Sequence, residues 1–242
     1  MSTLFISDLH LDESRPEITR AFFSFLKTTA SDASDLYILG DFFESWVGDD
    51  DESPFVNSVK QALKDFTDRG ASLYFMHGNR DFLIGDTFCR DVSAELLPDP
   101  SVISLAGEQT LLMHGDSLCT DDQDYMQFRK MARDPLWQQD ALSKSLAERR
   151  AIAKHMRMVS GESNSNKATD IMDVNASAVN AEMAKHRCTR LIHGHTHRPN
   201  RHSITTTKEI TERIVLGDWD HQLWYLKVDN NEISLNSASI VS

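Results

Sequence analysis

Short apolar runs recur along the chain, and several stop abruptly on a polar side chain. Residues 4–7, 36–39, 72–76, 102–105 and 110–113 each carry enough apolar residues for a buried strand and too few for a helix. Between the first three runs the apolar period changes to that of a helix. From Pro16 to about residue 29, Ile18, Phe22, Phe25 and Leu26 fall on one face. Ser53 and Pro54 offer an N-cap followed by proline at the first helical position, and Phe55, Val59, Ala62, Leu63 and Phe66 then form a stripe that ends at Gly70. A β-α-β-α-β order of this kind predicts parallel strands joined by right-handed crossovers. Runs 102–105 and 110–113, separated by Ala106, Gly107 and Glu108, read as a hairpin-like pair. From residue 189 onward the pattern is again strand-like, over 191–192, 204–207, 214–216 and 223–228, the last closing on an Asp229-Asn230-Asn231 turn.

The stretch between these parts is of another kind. Residues 121–185 show almost no β pattern, and 125–133, 136–159 and 170–186 read as helices interrupted by a Gly-Glu-Ser-Asn-Ser-Asn linker at 161–166. The expected organisation is an α/β core of residues 1–120 and 187–242, with residues 121–186 inserted as a helical cap over the crevice at the strand ends.

Composition narrows the class. The net charge of −12 argues against a nucleic-acid partner bound through general basicity. Residues 121–167 depart from this, with nine Lys and Arg against seven Asp and Glu. No apolar run approaches the roughly 20 residues that span a bilayer. The chain passes from Met1 almost directly into its first strand, so a cytoplasmic location is expected. Cys89, Cys119 and Cys188 are widely spaced without a CxxC pair and read as small buried residues.

The polar residues that end the apolar runs carry the chemistry. They are Asp8 and His10, Asp41, Asn79, His114, and His195 and His197. In an open α/β sheet the C-terminal strand ends share one crevice. Asp8 and His10, like His195 and His197, are two apart, a spacing that sends both side chains to one strand face. Seven oxygen and imidazole donors suit two divalent metals, and two such metals activate water for attack on a phosphoester.

Asp8-Leu9-His10, Gly40-Asp41, Gly78-Asn79-Arg80-Asp81, His114-Gly115-Asp116 and Gly194-His195-Thr196-His197, in this order, resemble the signature of the calcineurin-like metallophosphoesterases over nearly the whole chain. The resemblance implies two facing sheets flanked by helices. It further implies that Asp8, His10, Asp41 and His197 hold one metal and that Asp41, Asn79, His114 and His195 hold the other, with Mn²⁺ expected. Most members carry His where this chain has Arg80. The guanidinium cannot protonate a leaving group, but its planar fork neutralises a phosphate, which favours cleavage of a diphosphate over a simple alkyl ester. The wording of residues 46–50, 120–122 and 160–167 is similar to a branch of the family acting on UDP-2,3-diacylglucosamine in lipid A biosynthesis. For that branch the expected reaction yields 2,3-diacylglucosamine 1-phosphate and UMP by water attacking the phosphorus next to uridine. Asn79 and Arg80 are then catalytic, and Asn79, Arg80, Asp122, Ser160, Asn164, Lys167 and His195 bind substrate. Tyr125, Phe128, Met131, Trp137, Leu142, Leu146, Ile152, Ala153 and Met156 would shelter acyl chains. Arg149, Arg150, Lys154 and Arg157 would turn the cap toward the anionic cytoplasmic face of the inner membrane. His77 and His193 read as supports for the ligands beside them. The alternative is a dimetal phosphoesterase for soluble nucleotides.

Overall fold

The computed structural model describes residues 2–165, 173–205 and 210–240, with side chains described for all of these except 159–165, 204, 205 and 210. Two sheets face each other. The first has the order β11-β10-β1-β2-β3-β4, where β1 (Ser2–Ile6), β2 (Ala33–Leu39), β3 (Ser72–Met76) and β4 (Ala94–Leu97) are parallel, β10 (Gln222–Asp229) pairs antiparallel with β1, and β11 (Glu232–Ser239) pairs antiparallel with β10. The second has the order β5-β6-β7-β9-β8. In it β6 (Glu108–Leu112), β7 (Arg190–His193) and β9 (Ile210–Val215) are parallel, and β5 (Ser101–Leu105) and β8 (Asn200–Thr205) are antiparallel edges.

Strand alternation feeds three apolar layers. In β1, Leu4 and Ile6 join the core under α1 (Pro16–Lys27), α2 (Pro54–Thr67) and α3 (Asp86–Val92), while Phe5 points to the opposite face. There it meets Leu39 and Met76 of its own sheet and Leu112, Ile192 and Ile214 of the other. Leu111 and Leu191 face outward from the second sheet onto Val179 and Met183 of α7 (Ala176–His186). The layers therefore run helix, sheet, sheet, helix. The α2 N-cap is the expected one, since the Ser53 hydroxyl accepts the Val56 N–H at 3.3 Å.

Three readings of the inserted segment are corrected. The helix expected over 136–159 is two, α5 (Pro135–Leu142) and α6 (Leu146–Ser165), with Asp134 capping α5 through the N–H groups of Leu136 and Trp137. The backbone of α6 is helical through Ser165, so most of the proposed 161–166 linker is not a break. Finally, α7 is part of the layered core, while α4 (Gln123–Ala132), α5 and α6 lie at the end of the sheets where the ligand-bearing loops emerge.

Candidate dimetal centre

All seven polar residues leave the C-terminal ends of parallel strands: Asp8 and His10 after β1, Asp41 after β2, Asn79 after β3, His114 after β6, and His195 and His197 after β7. The first four come from one sheet and the last three from the other. The two-apart spacing does not act through a strand face, as the sequence suggested. Asp8, His10, Asp41, His195 and His197 all have φ between 49° and 67°, the left-handed region. Each such turn costs a non-glycine residue about 1 kcal/mol or more. Hydrogen bonds between the loops hold them there: Asp8 N–H donates to Gly40 O at 3.1 Å, His10 N–H to Asp41 O at 3.0 Å, and Gly194 N–H to His114 O at 2.9 Å. Glycine is required where these loops touch. A Cβ on Gly78 would stand 2.1 Å from Asp41 Oδ1, and one on Gly194 would stand 2.2 Å from Asp8 Oδ2.

The side chains converge in two groups, Asp8 with His10 and His197, and Asp41 with His114 and His195; within each group the ligand atoms lie within 4.8 Å of one another. His10 Nε2 and His197 Nε2 are 3.3 Å apart, and Asp8 Oδ1 is 3.4 Å from the latter. Asn79 Oδ1 lies 3.0 Å from His114 Nε2 and 2.9 Å from His195 Nδ1, and Asp41 Oδ1 lies 3.6 Å from His114 Nε2. Donors around one ion at about 2.1 Å stand roughly 3.0–3.4 Å apart, so this spacing fits a metal in each group. Ring orientation fits as well. The opposite nitrogens of three rings face oxygens: His114 Nδ1 lies 2.9 Å from Leu39 O, His10 Nδ1 lies 2.8 Å from Glu44 Oε2, and His197 Nδ1 lies 3.5 Å from Asp218 Oδ2. A proton held on Nδ1 leaves the Nε2 lone pair turned into the site.

The charges are strongly coupled. Burial opposes ionisation of Asp8, but His197, His114 and His10 outweigh it and hold the carboxyl well below its ordinary range. Burial likewise opposes protonation of His114, yet Asp41, Asp116 and Asp8 raise it to about 9. His195 falls to about 4 through burial and the nearby His114. Arg80 donates its backbone N–H to Asp41 Oδ1 at 2.8 Å, and its side-chain Nε is buried without a hydrogen-bond partner. No ion pair engages this guanidinium among the described residues, and it lines the cavity between the core and the inserted helices.

That cavity has a polar end at Asn79 and Arg80 and apolar walls from Phe82, Leu83, Phe128, Trp137, Ile152 and Met156. Tyr125 and Ala153 also line it; Met131, Leu142 and Leu146 do not, and the first two are exposed. The helices above it are tied to the core by charge. Asp116, fully buried, accepts Tyr125 Oη–H at 2.7 Å and Arg129 Nε–H at 2.9 Å from α4. Arg149 is buried, bonded to Val47 O and to both carboxylate oxygens of Asp50. Arg150 reaches both oxygens of Asp51 at 2.9 and 3.0 Å, and Arg157 pairs with Glu44. Of the arginines expected to face a membrane, Arg149 is therefore buried against the core, while Arg150 and Arg157 are ion-paired to it and remain about half exposed.

Among the remaining expected residues, Asp122 is buried and caps α4 by accepting Tyr125 N–H at 3.1 Å, outside the residues that line the cavity. Ser160, Asn164 and Lys167 lie outside the described side chains. His77 Nε2 bonds Ile84 O and His193 Nδ1 bonds Gly194 O, so both brace loop backbone rather than ligand rings. Sequence reasoning missed Glu44, Asp81 and Asp218. Asp81 accepts Gly78 N–H at 2.7 Å and Phe42 N–H at 2.8 Å, locking two ligand loops together. The available signal was position, because each lies in or within a few residues of a Gly-Asp or Gly-Asn-Arg-Asp motif.

The chain belongs to the calcineurin-like phosphoesterase family, whose profile matches residues 1–199, and membership implies divalent metal ions. Within the family it is 53% identical over 231 residues to the UDP-2,3-diacylglucosamine hydrolase of Pseudomonas paraeruginosa, covering 96% of each chain. It is 52% identical to the enzyme of the same name from Stutzerimonas stutzeri, over 94% of this chain and 95% of that one. The one from Cellvibrio japonicus is 49% identical over 99% of this chain and 100% of its own.

Proposed function

We propose that the protein hydrolyses the diphosphate of UDP-2,3-diacylglucosamine, giving 2,3-diacylglucosamine 1-phosphate and UMP for lipid A biosynthesis. The observation that carries this reading is the cavity itself, in which an apolar slot opens onto Asn79 and Arg80 beside the two ligand groups. A soluble nucleotide needs no such slot, whereas a diacylated sugar must shelter its chains from water. Close homology to hydrolases named for this substrate supports the same assignment.

Asp8, His10, Asp41 and His197 would hold one divalent ion and Asp41, Asn79, His114 and His195 the other, with Mn²⁺ suited to this mixed oxygen and imidazole set. Such ions, when bound, make water nucleophilic at neutral pH and offset charge on phosphoryl oxygens. The protein does the positioning. Arg80 offers its guanidinium fork to the diphosphate, and Asn79 contributes a ligand oxygen that adds no negative charge. The departing lipid 1-phosphate is already a stable anion, so the lack of an acidic group at Arg80 costs little. Phe82, Trp137, Ile152 and Met156 hold the acyl chains, which orients the phosphorus next to uridine toward the ligand groups. Residues 121–165 act as the cap. His195, Asp122, Ser160, Asn164 and Lys167 are assigned to head-group contacts by resemblance.

The site of action is the cytoplasmic face of the inner membrane, approached from outside the bilayer. No described helix is long and apolar enough to cross a membrane, and Leu136, Leu142 and Met158 are exposed on the inserted helices. The deciding experiment compares acylated UDP-glucosamine with its deacylated analogue in ¹⁸O water with Mn²⁺. Label in UMP and strong preference for the acylated substrate are expected. Equal turnover of both substrates would move the assignment to soluble nucleotides, and label in the lipid phosphate would reverse the attacked phosphorus.

A further inference from the structure

Glu44 sits on the loop after β2, and its two carboxylate oxygens serve different elements. Oε2 lies 2.8 Å from His10 Nδ1, an ion contact in which the ring nitrogen is not aligned as a hydrogen-bond donor, and Oε1 pairs with Arg157 of α6. The carboxylate is only 17% exposed and the His10 ring is buried, so the first contact is made largely out of water, while Arg157 reaches Glu44 from the exposed side of the helix. His10 turns its other nitrogen into the ligand cluster, 3.3 Å from His197 Nε2. An imidazole presents a lone pair at Nε2 when its proton sits on Nδ1, and a carboxylate opposite Nδ1 selects that form and fixes the ring. Arg157 has no described contact with any of the seven ligand residues. Its link to them runs through Glu44.

We propose that Glu44 is a positioning residue that ties the seating of α6 to the hold of His10 on its metal ion. This rests on the reading of His10 as a metal ligand. With Arg157 in place, the Glu44 side chain is pinned in the rotamer that faces Nδ1. Without it, a long side chain on a loop regains its freedom, and His10 loses its orientation. Linkage makes the effect reciprocal: an ion that holds His10 also holds Glu44, and through it the helix that roofs the cavity. A charge contact on the cap thus reaches the reaction centre without touching substrate.

Titration of Mn²⁺ into the metal-stripped full chain, followed by calorimetry, tests the proposal. Glu44→Ala should weaken one of two Mn²⁺ sites by about 10–100-fold and leave the other as in wild type. Arg157→Ala should weaken the same site by a smaller factor, with Arg157→Lys restoring part of the loss. In a Glu44→Ala background, Arg157→Ala should have no further effect, because the path is already cut. An unchanged titration for Glu44→Ala overturns the positioning role. An unchanged titration for Arg157→Ala, or an equal loss in both backgrounds, overturns the link to α6. If Glu44→Ala does not fold, Glu44→Gln carries the same comparisons, since its single oxygen cannot serve both partners. His10→Ala separates the levels of argument. Retention of both ions by that variant overturns the metal-ligand reading, while one ion lost there and none in Glu44→Ala overturns the Glu44 proposal alone.

Discussion

Asp41 sits in a left-handed turn, with Oδ1 accepting the Arg80 N–H at 2.8 Å and standing 3.6 Å from His114 Nε2. If it bridges two metals, Asp41→Ala should release at least one ion and lower turnover by about 10³-fold or more. Arg80→Ala removes only a contact to substrate and should keep both ions, losing turnover by about 10–100-fold, the worth of a charge-assisted hydrogen bond. Metal content of both variants, measured beside their rates, checks the pair; two full equivalents on Asp41→Ala would refute the bridge. Asp99 offers a separate test, in stability. Burial and the neighbouring Asp116 push its carboxyl up to about 6, and neither oxygen has a hydrogen-bond partner. A carboxyl that binds its proton more tightly when folded adds stability at low pH, and that contribution is lost as pH rises through about 6. Asp99→Asn should therefore match wild type near pH 4 and exceed it at pH 7 by up to about 2 kcal/mol. Thermal melts at the two pH values decide this, and a variant less stable at pH 7 would contradict it. At this scale the convergence of the seven polar residues was legible because strand-end polar residues have few other uses. Their backbone was not. The Asp8 and His10 spacing invites a strand reading, and only the packed loops impose the left-handed turns.

Helix α6 is seated by Arg149, whose guanidinium fills space that Gly48 leaves open. Gly48 has φ +137°, and a Cβ there would stand 2.1 Å from Arg149 Nη1. Gly48→Ala should expel the arginine and loosen α6 and α5 while the sheets stay intact. Hydrogen exchange should show faster amides in residues 146–158 and unchanged protection in β1, β2 and β7; uniform loss across the chain would mean a fold defect instead. Elements with a clear amphipathic stripe, such as α1 and α2, were visible in the sequence. Those without one were not. The seven-residue α3, the four-residue β4 and the half-exposed edge strand β11 carry too few apolar positions to show a period. The arginines of α6 misled for a related reason. Charge on a helix reads as solvated unless the partners are known, and Asp50, Asp51 and Glu44 lie far away in the chain.

Across the whole molecule, the core and the inserted helices enclose the apolar cavity beside Asn79 and Arg80, so charge placed in its wall should separate lipid binding from phosphoester chemistry. Met156→Glu would put an unpaired carboxylate among apolar side chains, an unfavourable burial. Turnover of the acylated substrate should fall at least about tenfold, with hydrolysis of a small chromogenic phosphodiester near normal. Equal losses on both would mean that the helices serve folding in general. The layered fold was readable from alternating runs, but the division of the inserted segment was not. Val179 and Met183 of α7 differ little in pattern from the residues of α4 and α5, and only contact with Leu111 and Leu191 assigns that helix to the core. The two ligand groups draw on both sheets, and this bears on how the chain is made. As synthesis proceeds, Asp8, His10, Asp41 and Asn79 emerge first, and His195 and His197 follow more than 110 residues later. A nascent chain therefore carries the carboxylate loops with only part of their imidazole partners until the residues after β7 have left the ribosome. Products that stop before β7 lack His195 and His197, so the two ligand groups can be completed only after that strand has been made.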